Sequence, residues 1–228
     1  MMQGNSVSSA KADEFSLPQR SGRYVQGADP SVLTEVYSEK TNIVVWQREV
    51  SAELEVAVKE FVARNSTFKI AMTLSPQGAL ANVRKALGVS ADPVLGESIA
   101  DLVDMFCYLF ALKRAGLRLT VLEQPMCPRF HVDNVPCRLV TTYQGVATQW
   151  LPHDLVDRGK LGPGSQGQPD KKSGLYKSEH DIRELDCGDV ALFKGERWEG
   201  NLNAGLVHRS PEIFAGQSRL LLTLDFSN

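Results

Sequence analysis

The sequence lacks several signals that mark common classes of protein. Its 228 residues include 4 cysteines, and no two of them form a C-x-x-C pair, so neither a zinc ribbon nor a disulfide framework is indicated. The 25 lysines and arginines nearly balance 27 aspartates and glutamates, which gives no general attraction to nucleic-acid phosphates. The G-x-S-x-G turn of many serine hydrolases is also missing. We therefore expect no nucleic-acid partner, and a serine hydrolase is disfavoured.

Long apolar runs are missing as well. The most apolar stretch, residues 99–112, is too short to span a bilayer and contains Asp101 and Asp104. Residues 1–11 hold no apolar core of a secretory signal. These features predict a cytoplasmic protein with no membrane partner, in which the cysteines are mostly free, buried thiols. The hydrophobic fraction of 43% is nevertheless sufficient for a full core.

The first half of the chain carries helix signals. Ser51 can cap a helix that continues to about Asn65, and Ser75 precedes a proline-initiated helix that Gly88 ends. A third helix with a broad apolar stripe is expected from about residue 96 to residue 114. These helices indicate packing surfaces rather than a cofactor site.

The chain is predicted to form one compact domain with three segments. Residues 1–30, rich in serine, glycine and charge, predict a flexible leader, and residues 31–116 predict a mainly helical N-terminal part. Over residues 117–228 the pattern changes to short β-rich runs separated by glycine, proline and aspartate, which is typical of an antiparallel barrel or jelly roll. The glycine-rich segment between Leu151 and Glu184 is interpreted as a flexible lid or rim at the barrel mouth.

Three residues of the second half are candidate metal ligands. Residues two apart in an extended strand lie on one face, so His131 and Asp133 can present an imidazole and a carboxylate to one point. His208 supplies a second imidazole, which completes the facial triad of non-haem Fe(II) sites, although zinc accepts the same ligands. The competing interpretation is a surface position for His208. His153 and His180, which bracket the glycine-rich segment, are less favoured ligands.

The order of these residues resembles the double-stranded β-helix proteins of the cupin and Fe(II)/2-oxoglutarate-dependent oxygenase superfamily. The likeness covers residues 117–227 and includes the Gly-Asp-Val-Ala-Leu-Phe run at residues 188–193. It implies an α+β fold in which the helical N-terminal part packs on a C-terminal double-stranded β-helix, a cupin-like jelly roll. It also implies that His131, Asp133 and His208 are catalytic residues that hold Fe(II).

The same resemblance implies a clamp for 2-oxoglutarate. In such proteins a basic residue downstream of the distal histidine grips a carboxylate of the keto acid, and Arg219 stands 11 positions after His208. Arg138 is the alternative clamp, because Pro136 can interrupt the strand and turn Arg138 inward. A plain rim position for Arg219 is the competing interpretation. The implied function is an oxygenase that uses Fe(II) and 2-oxoglutarate on a small molecule or a protein side chain.

A second resemblance is to the bacterial DUF1826 family, which has no established reaction. It rests on a His-Val-Asp-x-x-x-Cys-Arg block at residues 131–138, Thr-Tyr-x-Gly at 142–145, Trp-Leu-Pro at 150–152 and Val-His-Arg-Ser-Pro at 207–211. An association of that family with zinc homeostasis implies the alternative function: a zinc-type, cupin-like metal binder, either a non-oxidative enzyme or a carrier. A third alternative is an interaction module in which the triad is merely hydrogen-bonded. The oligomeric state stays open.

Overall fold

The computed structural model describes residues 19–21, 23–89 and 91–227, which form a mixed α/β protein around one large sheet. Its strands are β1 (Gln19–Ser21), β2 (Tyr24–Gly27), β3 (Ile43–Trp46), β4 (Lys69–Leu74), β5 (Ala115–Leu122), β6 (Cys137–Gln144), β7 (Gln149–Leu151), β8 (Arg183–Glu184), β9 (Val190–Lys194), β10 (Val207–Arg209) and β11 (Arg219–Phe226). The eight-stranded sheet has the order β1-β2-β3-β9-β6-β11-β5-β4, and a three-stranded sheet has the order β10-β7-β8.

The helices begin and end largely where the sequence predicts. The helices are α1 (Ala52–Arg64), α2 (Pro76–Leu87), α3 (Pro93–Leu109) and α4 (Asp170–Ser173). The side chain of Ser51 caps α1 by accepting the N–H of Leu54, and Gly88 ends α2 with a φ of 89°. The third helix begins and ends earlier than predicted, because Asp92 is its N-cap and Pro93 its first residue, and Phe110 rather than residue 114 follows its last turn. None of the described helices has the length and apolarity needed to cross a bilayer.

The large sheet buries side chains on both faces. On one face, Leu119 shares an apolar cluster with Phe106 of α3 and with residues of α1 and α2. On the other face, Val140 and Phe193 share a second cluster with Trp150 of the small sheet. The alternating direction of side chains along each strand produces these two layers. The candidate metal ligands belong to the layer between the two sheets.

The N-terminal part contributes strands as well as helices. Within residues 31–116, β3 pairs with β9 and β4 pairs with β5, so this segment extends the large sheet at two places. Residues 1–18 and 22 of the predicted leader lie outside the described residues, while residues 19–21 and 24–27 form β1 and β2. The prediction that residues 31–116 are mainly helical is therefore incomplete. The predicted division of the chain at residue 117 stays a prediction.

The long segment after β7 has a different position from the one predicted. Leu175 and Tyr176 are buried in a cluster with Phe130, Leu151 and Val207, which project from the outer face of the small sheet. Short 3₁₀ turns and α4 hold the segment together. It is a layer behind the small sheet, so the prediction of a lid or rim at the barrel mouth is corrected for this part. Its apolar residues are irregularly spaced, and periodicity could not reveal this packing.

Candidate metal centre

A single antiparallel bridge brings the two histidines together. The N–H of His131 donates to the carbonyl of His208 and the N–H of His208 donates to the carbonyl of His131, each over 3.0 Å. His208 lies at the centre of β10, opposite Trp150 of β7. Directly paired residues project to the same face of an antiparallel sheet. The two imidazole rings therefore share the interior, with centroids 4.6 Å apart.

Backbone carbonyls determine which imidazole nitrogen can bind a metal. Nδ1 of His131 lies 3.0 Å from the carbonyl oxygen of Arg129, and Nδ1 of His208 lies 3.1 Å from that of Leu206. A carbonyl only accepts hydrogen bonds, so we assign the proton to each Nδ1. Each Nε2 then keeps a free lone pair, which is the form in which histidine binds a metal.

Asp133 completes a group of three converging ligands. Its Oδ2 lies 3.4 Å from Nε2 of His208, and its Oδ1 lies 3.7 Å from Nε2 of His131. One ligand atom from each of the three side chains lies within 4.8 Å of the others. Metal–ligand bonds of about 2.1 Å would place neighbouring ligand atoms roughly 3.0 Å apart in an octahedral site and roughly 3.4 Å apart in a tetrahedral site. The three residues therefore fit one small divalent cation.

The surroundings of the group favour an ionised Asp133 carboxylate and a neutral His131 imidazole. Burial alone would raise the pKa of Asp133, but its contact with His208 and the neighbouring Arg138 and His131 lower it to about 2. Burial and the neighbouring charge of His208 lower the pKa of His131 below its usual value. These are the protonation states in which both residues bind metals.

Arg138 connects the ligand carboxylate to a second carboxylate. It lies in β6 and projects into the interior, where one Nη donates to Oδ2 of Asp133 over 2.7 Å. Its Nε and other Nη donate to the two oxygens of Asp225 over 2.7 and 3.1 Å. Burial lowers the pKa of Arg138, but the two carboxylates outweigh that effect and raise it. All three nitrogens of this guanidinium therefore have carboxylate partners.

Arg219 has the opposite surroundings. It opens β11, is 1% exposed, and donates only to hydroxyl groups: to Thr142 Oγ1 from Nε over 3.3 Å and from one Nη over 3.0 Å, and to Thr148 Oγ1 over 2.7 Å. It forms no salt bridge with any aspartate or glutamate that the structure describes. Burial lowers its pKa to about 10. The rim position considered for Arg219 is therefore wrong, because the side chain is enclosed.

A cavity of about 70 Å³ connects the histidines to the surroundings of Arg219. His131 and His208 line it, together with Arg138 and with Thr148, the hydrogen-bond acceptor of Arg219. Two larger cavities, of about 450 and 730 Å³, have none of the three metal-ligand candidates in their walls. Neither Asp133 nor Arg219 lies in its wall, so Thr148 is the residue that links this cavity to the buried guanidinium.

Residues 27–225 match the family model described as "Protein of unknown function (DUF1826)". This match covers far more than half of the chain. The chain belongs to the DUF1826 family. No curated protein matches the sequence of this DUF1826 member.

Solved structures similar to this DUF1826 member include three proteins of low sequence identity. The dioxygenase for auxin oxidation 1 from Arabidopsis thaliana, in a 2-oxoglutarate complex, is 13% identical with a TM-score of 0.48, over 90% of this chain and 92% of that chain. A Pseudomonas putida prolyl-4-hydroxylase is 10% identical with a TM-score of 0.48, over 87% and 98%. HygX from Streptomyces hygroscopicus, with nickel, 2-oxoglutarate and hygromycin B bound, is 11% identical with a TM-score of 0.42, over 86% of each chain. Such distant likenesses do not establish a shared activity.

The remaining candidates of this DUF1826 member lie apart from the cluster. Among the described histidine, cysteine, aspartate and glutamate side chains, the converging group of three consists of His131, Asp133 and His208 alone. His208 is 6% exposed, so the surface interpretation is wrong. His153 lies 3.3 Å from an Nη of Arg158, and His180 is exposed. Neither belongs to the metal-ligand group.

Three residues of the interior were not assigned a role from the sequence. Thr142 and Thr148 accept hydrogen bonds from Arg219, and Asp225 pairs with Arg138. A threonine in a strand is common and carries no functional signal by itself. Asp225 could have been found, because it lies an even number of residues after Arg219 on the same strand and therefore shares its face.

Proposed function

We propose that this DUF1826 protein is a mononuclear Fe(II) oxygenase that uses 2-oxoglutarate and is built on a double-stranded β-helix. The observation that carries the proposal is the enclosed guanidinium of Arg219, which forms no ion pair with a carboxylate in the described part of the chain and contacts a wall residue of the cavity at His131 and His208. A group of three metal ligands alone is compatible with many functions. The same group near a buried cation without an ion-pair partner indicates a ligand that carries a carboxylate.

The path of the chain supports the proposed fold. From β5 onward it alternates between the two sheets: β5 and β6 lie in the large sheet, with the His131 bridge to the small sheet between them. Next come β7 and β8 in the small sheet, β9 in the large sheet, β10 in the small sheet and β11 in the large sheet. Each sheet thus receives four of these positions, and every pairing among them is antiparallel. This is the arrangement of a two-sheet jelly roll.

His131, Asp133 and His208 would hold the metal from one side. Two imidazoles and one carboxylate leave positions open on Fe(II), and a bound iron would supply the activation of dioxygen that protein side chains cannot provide. The protein would contribute the fixed tautomers of the two imidazoles and an ionised Asp133. Both contributions exist in the structure without any ligand.

Arg219 is the better candidate for the carboxylate clamp. Burying an unpaired charge costs several kcal/mol, so an enclosed guanidinium without a carboxylate is best explained by a ligand that supplies one. Thr142 and Thr148 hold the guanidinium and can offer hydroxyl groups to the same carboxylate. A planar guanidinium matches a carboxylate through two parallel hydrogen bonds. The cavity of about 70 Å³ is small, so we expect wall side chains to move when a keto acid enters.

Arg138 is better suited to hold Asp133 than to bind a keto acid. Its donors are already directed at Asp133 and Asp225, and using them for a ligand would leave two buried carboxylates unmatched. By hydrogen-bonding one oxygen of Asp133, it favours binding of the metal through the other oxygen only. We therefore assign Arg138 to positioning of the ligand carboxylate.

A zinc-type function is the second candidate, and one observation favours it. The separations of 3.4 and 3.7 Å between Asp133 and the two Nε2 atoms are closer to a tetrahedral than to an octahedral arrangement. Zinc with these three ligands and a water would make a non-oxidative enzyme or a carrier linked to metal homeostasis. Such a protein has no need of a carboxylate clamp at Arg219.

An anaerobic titration of metal-free protein with Fe(II) and 2-oxoglutarate tests the proposal. We expect a weak visible charge-transfer band that requires both components and disappears in His131→Ala. The substrate, whether a small molecule or a protein side chain, would then be sought by succinate release. Tight zinc binding without a band for Fe(II) plus 2-oxoglutarate would instead support the zinc-type function.

A further inference from the structure

Asp170 is a buried carboxylate outside the metal cluster that contacts residues next to both metal histidines. It is the first residue of α4, in the layer behind the small sheet, and is 8% exposed. Its Oδ2 accepts the backbone N–H of Phe130 over 2.9 Å. Phe130 immediately precedes His131. A carboxylate from a distant segment is therefore bonded to the backbone that carries one metal ligand.

Two arginines complete the surroundings of Asp170. Nε of Arg129 lies 3.5 Å from Oδ1, and an Nη of Arg209 lies 3.6 Å from Oδ2. Arg209 immediately follows His208, and its guanidinium lies 4.3 Å from the centre of the Phe130 ring. Asp170 thus joins the neighbours of His131 and His208 from the face opposite the metal cluster.

The strand geometry explains why this contact matters for His131. The N–H and carbonyl of His131 both point towards His208, so the N–H of Phe130 points the other way, to the edge of the small sheet. The bridge is isolated, which leaves His131 with one paired residue instead of a continuous ladder. Asp170 satisfies the N–H on the free side. Without it, a buried donor would lose its acceptor, and on that side the edge segment would keep only the side-chain hydrogen bonds of Arg129 to Ser165 and Gln168.

We propose that Asp170 is a positioning residue for the metal centre, an inference that rests on the proposed function. It holds the backbone of His131 against β10 and, through Arg209, the backbone that follows His208. The arginines make the contact stronger than a neutral hydrogen bond, because the acceptor is charged and its charge is matched. The distance between the two imidazoles therefore depends on a segment that touches neither of them.

Asp181 offers a matched control within the same segment. Its Oδ2 accepts the backbone N–H groups of Lys177 and Ser178 over 3.1 and 2.9 Å, so it stabilises the layer as Asp170 does. None of its described hydrogen bonds or ion pairs involves a residue adjacent to His131 or His208. Asp181→Ala should therefore loosen the layer without disturbing the metal ligands.

The first test is Co(II) binding to metal-free wild type, Asp170→Ala, Asp170→Asn and Asp181→Ala. We expect Asp170→Ala to weaken Co(II) binding about 10- to 100-fold and to change the visible absorption of the bound metal, as for other residues that orient metal ligands. Asp170→Asn keeps an acceptor for Phe130 but loses the charge, so its affinity should be intermediate. Asp181→Ala should bind Co(II) within about twofold of wild type, with an unchanged spectrum. Equal affinities and spectra in Asp170→Ala and wild type would overturn the proposal.

The second test does not depend on a metal. Hydrogen exchange of the His131 and His208 amides reports opening of the bridge in metal-free protein. We expect faster exchange of these two amides in Asp170→Ala than in Asp181→Ala at matched thermal stability, and equal rates would overturn the proposal. If wild type binds neither Co(II) nor Fe(II), the proposed function fails, and the exchange rates alone decide whether Asp170 positions the histidines.

Discussion

The space between the two sheets contains two guanidinium groups, half-buried Arg138 and buried Arg219, with opposite surroundings. Arg138 has three hydrogen bonds to the carboxylates of Asp133 and Asp225, and its pKa is raised. Arg219 is more deeply buried, donates only to threonine hydroxyls, and its pKa is lowered to about 10. The first charge is matched by the protein itself. The second forms no ion pair with any carboxylate among the described residues, although the charge of Glu184 partly offsets the effect of burial on its pKa.

This difference separates a structural charge from a binding charge. A folded chain has no reason to enclose an unmatched cation for stability, since the cost of desolvation is not recovered. Arg138 should therefore matter most for the folded state, and Arg219 most for the bound state. Variants of the two residues should show opposite patterns in stability and in ligand binding.

The largest effect is expected when a metal ligand is removed, because the proposed keto-acid site at Arg219 has no function without the metal. His131→Ala should weaken Fe(II) or Zn(II) binding by more than the roughly 10- to 100-fold that follows loss of an outer partner. His153→Ala is the matched control and should bind metal normally. Isothermal titration with each metal measures the effect. Equal affinities for the two variants would remove the basis of the comparison.

Arg138→Met should reduce the stability of metal-free protein by about 3 kcal/mol, because it leaves two half-buried carboxylates facing each other. Chemical denaturation of wild type and variant measures this loss. Arg118→Met is a suitable control, because Arg118 contacts the same Asp225 from an exposed position over 3.0 Å and should contribute much less. A loss of stability of similar size in both variants would show that Arg138 contributes no more than an exposed ion pair.

Arg219→Met should leave the stability of metal-free protein unchanged or increase it, while weakening 2-oxoglutarate binding to the Fe(II) form by about 2–5 kcal/mol. Fe(II) binding itself should not change. Anaerobic titration of the charge-transfer band measures the keto-acid affinity, and Arg219→Lys should recover part of it. If Arg219→Met destabilises the protein as much as Arg138→Met, the guanidinium is structural and the distinction fails.

Lys194 tests whether every unmatched buried cation indicates a ligand. Lys194 is 1% exposed and lies on the face of β9 opposite Phe193. Its Nζ donates to the Ser38 carbonyl over 2.8 Å and lies 4.8 Å from the centre of the Trp198 ring. Burial lowers its pKa to about 8 from 10.5. At Lys194 the unfolded chain therefore binds more protons than the folded one between these pH values, so the contribution of Lys194 to stability should rise by about 2–3 kcal/mol from pH 8 to 10.5.

Lys194→Met should flatten this rise, as denaturation at several pH values would show. The effect belongs to the fold and not to ligand binding, so 2-oxoglutarate affinity should not change. An altered keto-acid affinity in Lys194→Met would mean that burial without a carboxylate does not identify the clamp. The cavity near Arg219 would then not distinguish a ligand-binding cation from a structural one.

The sequence predicts local structure well where a side chain itself forms the signal. The Ser51 side chain accepts a backbone N–H at the start of α1. Gly88, which has no side chain, can adopt the positive φ that ends α2. By contrast, β4 is partly exposed and carries no comparable local signal, so its pairing with β5 decides its structure. Register and sheet order come from long-range contacts that a local pattern does not contain.

The candidate site shows the same limit. His131 and Asp133 could be linked through their spacing, and His208 through its order in the chain, but the isolated bridge that aligns them is a tertiary contact. Which arginine is matched could not be predicted, because Asp225 is distant from Arg138 in the sequence. The role of Asp170 depends on a long segment whose path has no periodic signal.

The position of Arg219 depends on a glycine in the neighbouring turn. Gly145 turns beside the start of β11 with a φ of 89°, and a Cβ atom there would lie 2.7 Å from the Ser218 carbonyl oxygen and 3.1 Å from Cα of Arg219. An alanine at this position would push the backbone of Arg219 away from its threonines without altering any polar group. The reach of the proposed clamp thus depends on how closely the neighbouring turn can approach β11.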